Sequence, residues 1–325
     1  MKRVIAFFFI TIIVSAATIA QVTEGEKTLR TVYNDTVNGW KRGGVLSLNL
    51  AQTSLTNWSA GGENSFAVNG MVSMFANYKG TNDAWNNSVD IGYGILKQGK
   101  DKGLMKTDDK IDFLSKYGRR FYKKWYYAAL LNFKTQMTVG YNYPNDSVPI
   151  SKLLAPAYLL GALGVDFKPN SYFSLFAAPL TMKMTIVNDQ KLADAGSFGV
   201  DKATYDDAGL RLTKGKLTRS EVGGYVRVIY SRNKFNSEFL KNVVFTTKAD
   251  FFSNYMHNPQ NIDVSWETLI AFKVNKYITV NINTVLLYDD DVKIAVDNNG
   301  DDIVDEYGPR TQFKEILGVG FAYKF

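Results

Sequence analysis

The 325-residue chain has no cysteine and a single histidine. That excludes a disulfide framework, a thiolate metal centre, an acylated cysteine and any cluster of histidine ligands. Proline is scarce, at 7 residues, and no Pro- or Ser-rich linker divides the chain into modules. Long apolar runs are missing as well. Beyond the first twenty residues nothing approaches the roughly 20 apolar residues of a membrane-spanning helix, so a helical membrane protein is excluded. Charge of one sign is also weak. The formal +7 is spread along the chain, without the clustered basic face that nucleic acid needs, so nucleic acid is not an expected partner. There is no phosphate-cradling glycine loop and no nucleophile-elbow motif.

Aromatics are plentiful, with 19 Tyr and 21 Phe. The chain opens on Met1-Lys2-Arg3, an apolar run from Val4 to Val14 and small residues up to Ala20. This order reads as a secretory signal peptide over 1–20. Its removal would lower the formal +7 by two. Residues 21–42 are polar and carry no period, and read as a periplasmic lead-in. From Gly43 to Phe325 about twelve segments alternate apolar and polar. They lie near 43–52, 64–78, 84–97, 109–119, 125–139, 156–168, 172–186, 218–231, 243–253, 261–273, 277–289 and 313–325. Each is close to the 9–11 residues that a tilted strand needs to cross a bilayer. The segment at 172–186 alternates less cleanly and holds Pro179. In it Phe176, Leu180, Met182, Met184 and Ile186 are read as sharing one face.

Period-two alternation fits two architectures. A soluble sandwich hides the apolar faces, whereas a membrane barrel turns them to lipid and hides the polar ones. Four signs favour the barrel. These are the signal peptide, the last strand ending on Phe325, aromatics near strand ends (Tyr78, Trp85, Trp125, Tyr126, Tyr277, Tyr288), and connections that alternate between short and long. The expected fold is all-β: a transmembrane, antiparallel, up-and-down barrel of about 12 strands, closed by the C-terminal strand. The expected place is the bacterial outer membrane, with both termini periplasmic. Basic pairs fall in the short turns and acids in the longer loops, so the short-turn rim is expected to meet phospholipid headgroups.

Several stretches add a likeness. Asn57-Trp58-Ser59-Ala60-Gly61-Gly62, Asn142-Tyr143-Pro144-Asn145-Asp146-Ser147, Val187-Asn188-Asp189-Gln190, Asn258-Pro259-Gln260-Asn261, Tyr288-Asp289-Asp290-Asp291 and Gly308-Pro309-Arg310-Thr311-Gln312-Phe313-Lys314 occur along the chain. In these the chain resembles a family of Bacteroidota outer-membrane proteins catalogued as a domain of unknown function. The resemblance implies location and barrel fold, and lends no catalytic or binding residue.

Candidate chemistry is sparse. Asp297, Asn299, Asp301 and Asp305 place oxygen ligands at alternating positions, as a hard cation such as Ca2+ wants. However, Asp302 and Gly308 stand where an EF-type loop has Gly and Glu, so a solvated acidic loop is the competing reading. No other cofactor is expected. The lone His257 lies near Ser253 and Ser265, which raises a hydrolase reading without an orienting acid. Asp90, Lys110, Asp112, Lys116, Lys134, Asp166, Glu221, Arg227, Lys248, Asp250, Asp263, Glu267 and Lys314 fall on the polar faces. They suggest either a lumen filled by salt bridges or a narrow polar pore. Asp263, Glu267, Gln312 and Lys314 are the candidate ligand-binding residues, and the long 187–217 loop is a candidate plug or lid. The favoured function is a narrow small-solute channel or ligand-binding barrel. The alternative is a structural barrel that binds other outer-membrane proteins; a hydrolase ranks third. Outer-membrane lipid is the expected surround.

Overall fold

The computed structural model describes residues 38–55, 63–99, 103–232, 235–238, 240–273, 279–296, 305–320 and 322–324. The signal segment, the lead-in up to residue 37, the Asn57 to Gly62 stretch and positions 297–304 lie outside the described residues.

The strands in chain order are β1 (Gly39–Thr53), β2 (Ser65–Lys79), β3 (Asp83–Gln98), β4 (Met105–Tyr122) and β5 (Trp125–Thr135). A small hairpin follows, β6 (Gly140–Tyr141) and β7 (Pro149–Ser151), then β8 (Ala157–Asn170) and β9 (Phe173–Ile186). The 187–217 connection carries a short helix α1 (Gln190–Asp194), a 3-10 turn (Ser197–Gly199) and a second hairpin, β10 (Thr204–Tyr205) and β11 (Arg211–Thr213). After it come β12 (Thr218–Arg232), β13 (Val243–Asn254), β14 (Ile262–Lys273) and β15 (Thr279–Tyr288). A third hairpin, β16 (Lys293–Val296) and β17 (Glu306–Pro309), precedes β18 (Gln312–Gly320) and β19 (Ala322–Lys324).

The long strands form one antiparallel sheet, ordered β18-β15-β14-β13-β12-β9-β8-β5-β4-β3-β2-β1-β19. Apart from β19, which pairs with β1, neighbouring long strands in the sequence pair with each other, as short connections between alternating segments favour. β1 takes in 39–42, which the sequence reading assigns to the lead-in. There Trp40 pairs opposite Tyr78, and its ring lies 5.5 Å from Tyr78 and 5.8 Å from Trp85. The Lys41-Arg42-Gly43-Gly44 run interrupts the alternation and hides this start.

The two faces of the sheet are inverted relative to a soluble protein. The apolar face is exposed: Leu46, Leu48, Leu50, Phe66, Met74, Leu131, Leu180 and Trp266 all lie open, and Leu163 is 55% exposed. The polar face is buried: Asp166 is 0% exposed, Arg227 4% and Glu221 4%. The sheet is rolled with that face inward. Lys183 on β9 reaches Asp263 on β14 at 2.6 Å, and Lys314 on β18 reaches Asp108 on β4 at 3.3 Å. A soluble sandwich would bury the opposite set of residues.

One strand changes face part-way. Ser174, Phe176 and Ala178 on β9 are buried, and so are Thr181 and Thr185, while Pro179 and Leu180 are both exposed. The register with β12 slips between Gly223 and Tyr225, and that with β8 between Leu163 and Val165. The extra residue at 178–179 is a β-bulge, a usual place for Pro in a sheet. It corrects the reading of Phe176 as a companion of Leu180 and Met182. Phe176 points inward, because the bulge flips the parity above it. Gly164 lies opposite this bulge, and a Cβ there would come within 2.0 Å of the Ala177 carbonyl oxygen, so only glycine fits.

The two ends of the sheet differ. One has short turns at 80–82, 123–124 and 171–172, and the other has the long connections 136–156, 187–217 and 289–311. The short-turn end wears an aromatic belt. Trp40, Tyr78 and Trp85 form one group, Phe121 stacks on Tyr127 at 4.2 Å, and Trp125 meets Phe167 at 4.6 Å. Basic groups lie over this belt: Arg42 over Trp40, Lys168 over Tyr126 and Arg232 over Tyr172.

Candidate functional site: the rolled interior and its long-loop mouth

Half of the interior wall is packed. Inward residues of β5, β8, β9, β12 and β13 (Leu130, Ala162, Phe176, Tyr225, Phe252) form an apolar cluster. Beside it run ion pairs between strands. Arg227 grips Asp250 with two hydrogen bonds, Nε to Oδ1 at 2.6 Å and Nη2 to Oδ2 at 3.0 Å. The Tyr225 hydroxyl donates to the same carboxylate at 2.8 Å. Lys116 and Lys168 share Asp166 at 2.6 and 3.2 Å, and the Ser174 hydroxyl donates to it at 2.7 Å. Lys248 pairs with Glu267 at 3.0 Å, directly opposite in the β13–β14 register. Asp112 accepts from Asn132 at 2.6 Å and faces Lys134 at 3.7 Å. Charges taken out of water persist only when paired in this way.

The other half is lean. The inward positions of β2 and β3 include Ser73, Asn77, Asn86, Ser88 and Gly92, which are small or amide side chains. Between this wall and the ion pairs lies a cavity of about 100 Å³, lined by Asn86, Ser88, Asp90, Lys110, Lys248 and Glu267 among others. That volume holds several waters but is well short of the roughly 300 Å³ of a drug-sized pocket. The side-chain amide oxygen of Asn86, Oδ1, has no hydrogen-bond partner among the described residues.

At the long-loop end a second set of charges gathers. Lys183 contacts Asp263 at 2.6 Å, Asp289 at 3.3 Å and Glu221 at 3.7 Å, with its ammonium 5.2 Å from the Phe252 ring centre. Arg219 donates to the Gly199 carbonyl at 3.0 Å and to Glu221 at 3.1 Å, and also pairs with Asp291. Asn261 donates to Asp290 at 2.6 Å.

The four candidate ligand-binding residues do not form one constellation. Asp263 engages Lys183, Glu267 engages Lys248, and Lys314 engages Asp108, while Gln312 is exposed at the start of β18, opposite Leu287. Of the proposed cation ligands, Asp297, Asn299 and Asp301 lie outside the described residues, and Asp305 is exposed. No group of three or more His, Cys, Asp and Glu side chains with metal-binding geometry occurs among the described residues. His257 meets the Asn258 amide at 3.2 Å, and the Ser253 hydroxyl donates to the Pro259 carbonyl at 2.6 Å. Closeness in sequence thus does not make these two a base and nucleophile pair. Sequence reasoning missed Lys183 and Arg219. Lys183 was obscured by the parity flip at Pro179, and Pro179 itself was the available signal.

Residues 50–141 match the family model described as a protein of unknown function (DUF3078). The match covers less than a third of the chain. No curated protein matches. Among solved structures, the chain is similar to the translocator domain of autotransporter NalP from Neisseria meningitidis, at 11% identity over 93% of each chain with a TM-score of 0.37. It is also similar to the COG4313 outer membrane channel from Pseudomonas putida F1, at 8% identity over 91% of this chain and 98% of that one, with a TM-score of 0.40. The NanC porin is 9% identical over 86% of this chain and 98% of that one, with a TM-score of 0.35.

Proposed function

We propose that the protein is an integral outer-membrane β-barrel that passes small polar solutes along a narrow, charge-lined lumen. The observation that carries this reading is the inverted sheet, with Leu131, Leu163 and Trp266 open on one face and Asp166, Arg227 and Asp250 buried on the other. Exposed apolar area on this scale is costly in water and favourable in lipid. Closure is supported by the end of the chain: β18 pairs with β15 at one edge of the sheet and β19 pairs with β1 at the other. A ring of twelve strands leaves no unpaired backbone in the bilayer. The aromatic belt and its basic residues suit a headgroup interface at the short-turn, periplasmic end, where both termini would lie. The solute track is the lean side of the lumen, along Asn86, Ser88 and Asp90.

Reconstitution of the purified chain tests this. Brominated acyl chains should quench Trp85 and Trp266, and planar bilayers should show small conductances that Ser88→Trp reduces. Absence of quenching would remove the membrane reading. Absence of flux, even after deletion of 187–217, would remove the channel.

A second reading, a barrel that binds another outer-membrane protein, is favoured by the β10–β11 hairpin, where Tyr205, Leu210 and Leu212 are exposed together. Co-purification from native membranes that is lost with Leu210→Asp would select it.

A further inference from the structure

The 187–217 connection joins two neighbouring strands, β9 and β12, and a short turn would have sufficed. It instead reaches far to both sides. On one side it is fastened to the 136–156 connection: Val187, Leu192, Ala193 and Val200 form an apolar cluster with Ala155, and Lys152 binds Asp189. The Asn188 amide also donates to the Leu154 carbonyl at 2.9 Å. On the other side it reaches Asp291, just past β15 and three strands beyond β12. At Gly199 its backbone packs so closely that an added Cβ would lie 3.2 Å from the Asp291 Cβ. The segment therefore stretches from the β5–β8 side of the mouth to the β15 side.

Its two attachments differ in kind. The near one is built on an apolar cluster, with the Lys152–Asp189 pair beside it, and is covalently continuous with β9. The far one is polar: Arg219 holds the Gly199 carbonyl and Asp291 together, and Glu221 orients Arg219 while also facing Lys183. The tip is also conformationally costly. Phe198 has φ 59 and Gly199 has φ 82, and the left-handed region is rare for a bulky residue such as phenylalanine.

We propose that residues 187–217 are a strap across the mouth of the lumen, hinged on its apolar side and latched by Arg219 and Asp291. In the latched state the strap would stand above the long-loop end of β14, where Ser265 shares the inward face with Asp263 and Glu267. Release of the Arg219–Gly199–Asp291 contact lets the 187–217 body tilt as a unit about its contact with Ala155, its own apolar cluster of Val187, Leu192, Ala193 and Val200 staying packed. Lys183, which gathers Glu221, Asp263 and Asp289 just below, keeps the seat of the latch in shape when the strap lifts.

This proposal rests on the barrel reading above, so its test uses a readout that does not require conduction. The chain has no native cysteine, so Ser265→Cys supplies one thiol beneath the strap. Its labelling by a water-soluble methanethiosulfonate reagent is followed in the full chain in lipid vesicles. Arg219→Gln and Asp291→Asn should each speed labelling by about tenfold, the factor set by loss of one good polar contact. Lys241→Gln, in the turn at the opposite end, should leave the rate unchanged. Equal rates in all four backgrounds overturn the latch. The barrel reading is judged separately by acyl-chain quenching of Trp266. Quenched protein with equal rates therefore sinks the latch alone, and loss of quenching sinks the reading beneath it. Arg219→Lys, which keeps the charge but not the two-way grip, should label at an intermediate rate; a rate equal to that of Arg219→Gln would show that charge alone does not hold the strap.

Discussion

At mid-height, Arg227 and Asp250 join neighbouring strands β12 and β13; at the mouth, Arg219 and Asp291 join a strand end to a segment beyond β15. Both are arginine–aspartate pairs. The first is sealed in, with Arg227 4% exposed, and is braced by Tyr225. Its partners cannot part without opening the sheet. The second is partly open to water, and its partners belong to elements that can separate while the sheet stays intact. The difference teaches that the role of an ion pair is set by what each charge is attached to. Between adjacent strands it fixes a wall, and between a strand end and a loop it fixes a position that can be given up.

That comparison can be broken most decisively from the inside. Arg227→Met should destabilise the folded protein by about 3–5 kcal/mol, because Asp250 is left buried without its cation. A urea midpoint in vesicles within error of the parent would show that the mid-height pairs are not structural. Next in size is a charge on the exposed apolar face. Leu131→Arg should cost about 2–4 kcal/mol if that face meets the middle of a bilayer, and almost nothing if it meets water. Folding yield and urea midpoint separate the two. Arg219→Gln should shift the same midpoint by no more than about 1 kcal/mol, since partly exposed pairs contribute little to global stability. A loss as large as that of Arg227→Met would erase the distinction between wall and latch.

The smallest effect is a pH dependence of the strap. Asp189 is held below its usual value of 3.8, first by the hydrogen bond from Lys152 and then by the Leu192 amide that it caps. Asp194 is lowered chiefly by the Gly215 amide, with Gln190 and Arg211 adding to it. A carboxylate whose pKa is depressed by folding stabilises the fold above its unfolded value, and that stabilisation is lost as pH falls through the folded one. The hinge should therefore loosen only below about pH 4. Amide exchange of Leu192 and Gly215, normalised for intrinsic rate, should rise on acidification while that of β12 and β13 stays flat. Loosening near neutral pH would contradict the assignment.

Much of the sheet was legible in the sequence because period-two alternation is a local property. The β14 pattern, with Val264 and Trp266 against Asp263 and Glu267, marks both a strand and its two faces. Which face is buried was not legible from alternation alone, which is the same in a sandwich and in a barrel. The expected signal peptide, the terminal Phe325, the strand-end aromatics and the alternating loop lengths pointed to the polar face, and the rolled sheet has Asp166 inside and Leu163 outside. The ion-pair partners were illegible for a different reason. Arg219 and Asp291 are distant in sequence, and only the path of the 187–217 connection brings them together. Asp263 and Lys314 were rightly placed on the inward face by pattern, but each had a partner of its own that pattern could not name.

The bulge at Ala178–Pro179 has a consequence for descent as well as for shape. β9 is in effect written in two reading frames, even-numbered inside below Pro179 and odd-numbered inside above it. Deleting Pro179 would restore plain alternation and leave Lys183 in the lumen, whereas straightening the bulge with every residue kept would carry Lys183 into the lipid and bring Met182 and Met184 in. A relative without the bulge has one residue fewer here, and aligning it without a gap would exchange its inner and outer faces over the whole upper half of the strand.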